Sequence, residues 1–96
     1  MATPSAPDDI SVNHNAGEQR FETLVSGQLA VCDYELDGNR IVFTHTYVPS
    51  ELRGRGIAEK LVRVALDFAR EQKHEVVPAC SYVAVFVSRH PELVER

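Results

Sequence analysis

The sequence lacks any apolar run long enough to cross a membrane, since a spanning helix needs about 20 consecutive apolar residues. It also lacks a basic block, because ten Lys and Arg are scattered among fourteen Asp and Glu, for a net charge of −4. An acidic chain of this kind is not expected to be a general nucleic-acid binder. We therefore expect neither a membrane nor a nucleic acid among its partners.

Cysteine and histidine are too sparse for a metal centre. The two cysteines, Cys32 and Cys80, and the four scattered histidines lack the paired spacing of a zinc site, so we expect no metal. The first ten residues include Asp8 and Asp9 and no apolar segment of the kind found in signal peptides. The sequence therefore predicts a cytoplasmic protein whose two thiols are reduced.

With 96 residues, 44% of them hydrophobic, the chain is long enough for one small domain. Residues 1–9 are mostly Ala, Pro, Ser and Asp and offer almost nothing to bury, which predicts a disordered tail. Residues 10–96 are predicted to form the domain. A core of this size gives only marginal stability, so a ligand or partner should matter to it.

Strand patterns fill the first half of the domain. Asp37-Gly38-Asn39 predicts a tight hairpin turn, and the β-branched and aromatic residues after it favour a returning strand. Pro49 has no N–H to donate and should end the pairing. The predicted strands of this antiparallel meander cover 10–14, 20–25, 28–36 and 40–48.

The second half changes to a helical period from Ile57 to about Lys73. The apolar stripe consists of Ile57, Leu61, Val64, Ala65 and Phe68, widened by Ala58, Val62 and Leu66. A short apolar strand follows at 75–80. After so long a helix it should run parallel to the strand before the helix, through a right-handed crossover.

A last short helix is predicted to begin with Ser81 as its N-cap and to stop near His90, because Pro91 disfavours helical geometry there. Its inward-facing residues are predicted to be Tyr82, Val83, Phe86 and Val87. The fold class is therefore α+β: a mixed sheet with an antiparallel meander, a parallel β-α-β unit and a short C-terminal helix.

The segment Arg53-Gly54-Arg55-Gly56-Ile57-Ala58 connects the last meander strand to the long helix. A glycine turn that enters a helix presents unpaired N–H groups and the positive end of the helix dipole to an anion. The two glycines allow close approach and positive φ, and the two arginines add charge. A diphosphate is the expected ligand, and the alternative is that the glycines only form a tight turn.

This segment also carries a family resemblance. Arg53-x-x-Gly56-x-Ala58 matches the (Gln/Arg)-x-x-Gly-x-(Gly/Ala) signature of the GNAT N-acetyltransferases. Over nearly the whole chain after the tail, the sequence resembles the minimal, YjdJ-like GNAT family. The segments that carry the resemblance are Asn13-His14-Asn15, Arg20-Phe21-Glu22, His45-Thr46-Tyr47-Val48-Pro49 and Pro78-Ala79-Cys80-Ser81-Tyr82.

The resemblance implies an acetyl-CoA-binding fold without the usual extra substrate-binding helices near the N-terminus. The CoA pyrophosphate would then contact the backbone of the glycine turn, and the pantetheine arm would pair like an extra strand beside Tyr47 and Val48. Pro49 and Pro78 remove donors where the two parallel strands must part. The residues expected at the acetyl-CoA site are Tyr47, Val48, Arg53, Gly54, Arg55, Gly56, Ile57, Ala58 and Ser81.

Acetyl transfer to an amine needs a base for the amine proton, stabilisation of the carbonyl oxygen and a proton or solvent for the leaving thiolate. His45 is a candidate base, or a core histidine. Cys80 is a candidate acetyl carrier or proton donor, and His45 is expected to be its neighbour on the adjacent strand. The alternative is that Cys80 is only a small buried hydrophobic residue. The position of Tyr82 resembles that of the tyrosine near the CoA sulfur in many GNAT enzymes. The alternative is that Tyr82 is part of the core.

The expected function is acetyl-CoA-dependent N-acetyl transfer to an amine. A shallow acceptor site suits an amine on a protein or peptide. The alternative is a non-catalytic acyl-CoA-binding module or interaction domain. Exposed strand edges in so small a sheet allow a weak homodimer as well as a monomer.

Overall fold

The computed structural model describes residues 10–94. The tail predicted for residues 1–9 lies outside the described residues. The five strands and two helices, numbered in chain order, are β1 Asn13–Asn15, β2 Arg20–Val25, β3 Gln28–Asp37, β4 Arg40–Tyr47, α1 Ile57–Glu71, β5 Glu75–Pro78 and α2 Ser81–Arg89. Short 3-10 turns at Ser50–Leu52 and Pro91–Leu93 complete the chain trace.

The strands form one sheet in the order β1-β2-β3-β4-β5. The first four strands pair antiparallel, and β5 pairs parallel to β4 after the α1 crossover. The predicted meander and parallel β-α-β unit are therefore confirmed. The β3–β4 turn is tight because Asp37 pairs with Arg40, and Gly38 supplies the positive φ of 58° that it requires.

Several predicted boundaries differ from the structure by a few residues: β3 ends at Asp37, β4 at Tyr47 and α1 at Glu71. The first strand starts at Asn13 rather than residue 10. Strand β5 ends at Pro78, which has no N–H to continue the ladder. Cys80, not Ser81, is the N-cap of α2, because Cys80 has extended backbone angles while Ser81 is already helical.

One face of the sheet and both helices share a single core. Phe21, Cys32 and Phe43 from the strands pack with Leu61 of α1 and Val83 of α2, and all five are at most 1% exposed. Tyr82 is 40% exposed, so the prediction that it faces inward with Val83 is wrong. The helix turns the Tyr82 ring outward, beside α1.

The opposite face of the sheet is more accessible. We call it the open face, and define it by the side chains of Glu22, Leu24, Leu29, Asp33, His45 and Tyr47. Strand register places these residues on one side. Leu24 is 68% exposed and Tyr47 is 47% exposed. No helix among residues 10–94 is long and apolar enough to cross a membrane.

Candidate active site

The glycine turn is held against the end of β4. Val48, before the 3-10 turn, and Leu52, within it, are buried, and the Arg53 Nε donates a hydrogen bond of 3.0 Å to the Val48 carbonyl. Gly54 and Gly56 have φ values of 83° and 77°, a region that residues with a Cβ rarely adopt. A Cβ built on Gly54 would meet no heavy atom within 4 Å, so this glycine is required by backbone geometry rather than by crowding.

The first turn of α1 is uncapped. Gly56 occupies the N-cap position and no side chain bonds to the turn. The first intrahelical bond runs from the Lys60 N–H to the Gly56 carbonyl, at 3.1 Å. The N–H groups of Ile57, Ala58 and Glu59 therefore have no partner within the helix. Such groups, together with the helix dipole, favour an anion.

These N–H groups face a cleft of about 230 Å3 between the turn and α2. Its lining includes Val48, Gly54, Gly56, Ala58 and Tyr82. Glu59 lies in the same cleft, where a carboxylate would repel an anion. Its Oε2 accepts a hydrogen bond of 3.0 Å from the Arg63 Nε, which offsets part of that charge.

Strands β4 and β5 part beside this cleft. Their pairing ends at Phe43 and Pro78, and the Cys80 N–H closes it with a bond of 2.8 Å to the Phe43 carbonyl. Strand β4 continues along β3 as far as Tyr47. The stretch from Thr44 to Tyr47 therefore has a β5-facing edge beyond the end of the parallel ladder, where an extended amide-bearing chain can pair.

Cys80 lies at this parting, and its immediate neighbour is Thr46. The thiol Sγ and the Thr46 Oγ1 are 3.5 Å apart, and the same hydroxyl is 3.9 Å from the Sγ of Cys32. Partial burial acts to raise the pKa of the Cys80 thiol. The Thr46 hydroxyl and the backbone N–H groups of Val83, Tyr82 and Thr46 outweigh burial, and the pKa is lowered overall. The thiolate that a nucleophile requires is thus favoured.

Cys32 has the opposite environment. It is 0% exposed, and burial raises the pKa of its thiol to about 12, with the Thr46 hydroxyl acting weakly against that rise. It is a packing residue, as the sequence indicates. The two thiols are free and chemically distinct, although one hydroxyl lies between them.

His45 does not lie where the sequence places it. The β3–β4 register shifts between Asp33 and Tyr34, so that Tyr34 pairs with Phe43 but Asp33 pairs with His45. Thr44 is left unpaired in a β-bulge. The bulge puts Thr46 on the core side with Cys32, and His45 on the open face with Asp33. The prediction that His45 is the immediate neighbour of Cys80 is therefore wrong, since Thr46 occupies that position.

The open-face environment of His45 is defined by two side chains. Its ring stacks on Tyr47 with centroids 6.5 Å apart. Asp33 is its register partner on β3, and the Asp33 Oδ1 is buried without a hydrogen-bond partner among residues 10–94. The alternative reading of His45 as a core histidine does not hold, because the side chain is exposed.

The remaining candidates are Tyr82, which lines the cleft, and two exposed residues. Burial, and then the Glu59 carboxylate, raise the pKa of the Tyr82 hydroxyl, which the Arg89 charge partly opposes. Tyr82 is therefore a protonated phenol at neutral pH and able to donate. Arg55 and Ser81 are exposed. Sequence reasoning missed Thr46, whose position depends on the bulge.

Comparison with known proteins agrees with this geometry. The pattern of the family described as GCN5-related N-acetyl-transferase matches residues 20–96. The chain belongs to this family. The GNAT resemblance inferred from the glycine turn is thereby confirmed, and so is the GNAT-like fold.

Relatives of the chain include small proteins of similar length. The chain is 40% identical to Protein NATD1 of Bos taurus, over 94% of this chain and 85% of that protein. It is 39% identical to Protein NATD1 of Homo sapiens, over 85% of this chain and 75% of that protein. A solved structure of a GCN5-like protein from Staphylococcus aureus superposes with a TM-score of 0.70 at 27% identity, covering 86% of this chain and 82% of that one.

A larger acetyltransferase matches about half of this chain. The chain is 45% identical to human N-acetyltransferase 8 over 51 residues, which is 53% of this chain but 22% of that protein.

Proposed function

We propose that this GNAT protein transfers the acetyl group of acetyl-CoA to an amine. The observation that carries the proposal is the placement of the uncapped α1 N-terminus, the positive-φ glycines and the parting of β4 from β5 along one side of the sheet. An anion-binding turn at one end and an unpaired strand edge at the other match the diphosphate and the amide-bearing arm of one ligand.

Four groups of this chain would hold the co-substrate. Backbone N–H groups from Arg55 to Ala58 would bind the diphosphate, with Arg53 and Arg55 adding charge. Gly54 and Gly56 would allow the approach. The β4 edge at Tyr47 and Val48 would pair with the arm, and Ser81 would border it. The Val48 carbonyl is already bonded to Arg53, so Val48 would contribute its N–H.

The proposed chemistry uses residues near the parting of the strands. The Cys80 thiolate attacks the thioester carbonyl, a C–S bond forms to Cys80, and the C–S bond to CoA breaks. Tyr82 would donate a proton to the departing sulfur and regain one from solvent. The acceptor, as the free amine, then attacks the acetyl-Cys80 carbonyl, His45 takes one N–H proton from the tetrahedral adduct and releases it to solvent, and Cys80 leaves again as the thiolate. In the simpler alternative, the amine attacks the thioester directly and Cys80 only assists the leaving group.

The acceptor would approach from the open face. A free lysine-type amine has a pKa of about 10.4 and must lose a proton before it attacks, and His45 lies on that face. The open, shallow surface suits an amine on a protein or peptide. We expect a monomer or weak homodimer that acts in the cytoplasm without a metal.

Single-turnover transfer and intact mass spectrometry test the proposal. Wild-type protein mixed with acetyl-CoA should gain one acetyl group on Cys80, and addition of a lysine peptide should remove it. Cys80→Ser and Cys80→Ala should bind acetyl-CoA but transfer far more slowly, because transition-state stabilisation is lost. Full rates in both variants, without an adduct on wild type, would favour direct attack. Tight binding with no acetylated product for any amine would instead indicate a CoA-binding module.

A further inference from the structure

The Asp33 carboxylate is unusual among the charged groups of the open face. Its Oδ1 is buried and accepts no hydrogen bond from any residue in 10–94. A buried carboxylate oxygen without a donor is costly, and such an oxygen in a native fold calls for an explanation. The nearest cationic side chain does not satisfy it. Arg20 pairs with Asp33 across β2 and β3, but the Arg20 Nε donates instead to the Glu22 Oε1, at 2.9 Å.

The other cross-strand neighbour of Asp33 is His45. The two residues are register partners on the same face, and the Cβ atoms of such partners are about 4.5–5.5 Å apart. An imidazole can reach a carboxylate over that distance by rotating about its side-chain bonds. The exposed position of His45 leaves room for this rotation. Hydrogen bonds within active sites often align only once the substrate is bound.

The bulge at Thr44 explains why this pair exists. Without the unpaired residue, strict alternation would place His45 on the core side with Phe43, and Asp33 would face another residue. Bulges re-aim side chains next to active sites. Here the bulge brings one imidazole and one carboxylate together on the face from which the acceptor would approach.

We propose that Asp33 is a positioning residue for His45: the Asp33 Oδ1 accepts a hydrogen bond from the His45 Nδ1–H, which leaves Nε2 to take the proton of the acceptor amine. This inference rests on the proposed function. The carboxylate fixes the tautomer and stabilises the imidazolium that forms when the proton arrives. Arg20 and Glu22 are the other charged groups on this part of the face. The Arg20 charge also acts on the Asp33 carboxylate, but the Arg20 Nε is bonded to Glu22, so the Asp33 Oδ1 has no hydrogen bond from Arg20 and can accept one from His45.

The first test reads the His45 tautomer by NMR of protein with 15N-labelled histidine, saturated with CoA and a lysine peptide so that the site is occupied, and it needs no catalytic activity. The His45 signals are assigned with His45→Gln. Wild type should show the Nδ1–H tautomer. Asp33→Asn should keep it, because the amide oxygen still accepts, whereas Asp33→Ala should change it to Nε2–H. Glu35→Ala is the matched control, since Glu35 is an exposed acidic residue two positions along β3, and should change nothing.

The second test is a double-mutant cycle on single-turnover transfer to a lysine peptide. His45→Gln should lower the rate by about 10²–10⁴-fold, the usual contribution of a base. Asp33→Ala should also lower the rate, but by a smaller factor than His45→Gln. The double variant should be no slower than His45→Gln, because Asp33 acts only through His45. Asp33→Asn should also be slow, although its tautomer is native, because the charge that stabilises the imidazolium is gone.

The two tests separate this inference from the proposed function. An unchanged tautomer in Asp33→Ala, or rate losses that multiply in the double variant, would overturn the role of Asp33 while transfer itself stands. If no variant, including wild type, transfers acetyl, the proposed function fails and the tautomer measurement alone decides whether Asp33 orients His45. Titration of each variant with acetyl-CoA, expected to give equal affinities, shows that the donor site is intact.

Discussion

The Thr46 hydroxyl lies 3.5 Å from the Cys80 Sγ, at the point where β4 and β5 separate. This contact is one reason that the pKa of Cys80 is lowered although the thiol is partly buried. Cys32, at 3.9 Å from the same hydroxyl, stays a protonated packing residue because it is fully buried. One threonine therefore contacts both thiols, but only Cys80 has backbone N–H groups at a helix N-terminus to favour its thiolate.

Thr46→Val should slow alkylation of Cys80 at neutral pH, because loss of the hydroxyl hydrogen bond raises the pKa of the thiol and lowers the thiolate fraction. Thr46→Ser is the matched control and should react like wild type. The measurement is the rate of iodoacetamide labelling, followed by mass spectrometry of peptides containing each cysteine. Equal rates for the valine and serine variants would show that the backbone N–H groups alone favour the thiolate. Cys32 should remain unlabelled in the folded protein.

Gly56→Asp should weaken acetyl-CoA binding at least about tenfold, equivalent to 1.4 kcal/mol. An aspartate at φ 77° carries strain of about 1–3 kcal/mol and places a carboxylate where the diphosphate is expected. Gly38→Asp is the control, because Gly38 also has positive φ but lies in the distant β3–β4 turn. Calorimetric titration measures both. Similar affinities in the two folded variants would remove the glycine turn from the binding site.

Arg55→Gln should reduce the salt dependence of acetyl-CoA affinity. The protein has a net charge of −4, so binding of a multiply charged anion depends on local arginines whose effect is screened as ionic strength rises. Arg70→Gln, at the far end of α1, serves as the comparison and should keep the wild-type dependence. A dissociation constant that does not vary with salt in wild type would indicate that apolar contacts dominate.

The raised pKa of Cys32 should lower the free energy of unfolding at high pH. Its folded-state pKa of about 12 lies above the ordinary value of 9.0, so folding favours the neutral thiol. This contribution is fully present below pH 9 and is lost as pH rises from 9 towards 12, by up to about 4 kcal/mol at 1.36 kcal/mol per unit. Urea unfolding across this range should show a shallower decline in Cys32→Ala than in wild type. The tyrosines Tyr34 and Tyr82, whose pKa values burial also raises, contribute equally to both proteins.

Leu61→Ala should lower the free energy of unfolding by about 2–5 kcal/mol, the usual cost of a large-to-small change in a core. Leu61 is 0% exposed on α1, where it contributes to the contact between helix and sheet. Leu24→Ala makes the same change at a site that is 68% exposed and should cost less than about 0.5 kcal/mol. Urea unfolding midpoints compare the two, and equal costs would contradict the placement of the core.

The sequence by itself determined the order and kind of the elements. The Gly38-Asn39 turn, the helical period after Ile57 and the glycines before it depend on local backbone preferences, which a sequence pattern reveals. They were sufficient to predict the mixed sheet, the uncapped α1 N-terminus and the family. The helix boundaries moved by only a residue or two, because the ends of a helix depend on marginal local energies.

Only the tertiary structure decided which side chains meet at the parting of β4 and β5. An alternating pattern would place His45 on the same face as Phe43, but the unpaired Thr44 reverses the faces beyond it. Thr46 therefore contacts Cys80, while His45 lies opposite Asp33 in the β3–β4 register. The bulge is a property of how β4 pairs with β3, and cross-strand register is set by long-range packing rather than by the residues of one strand.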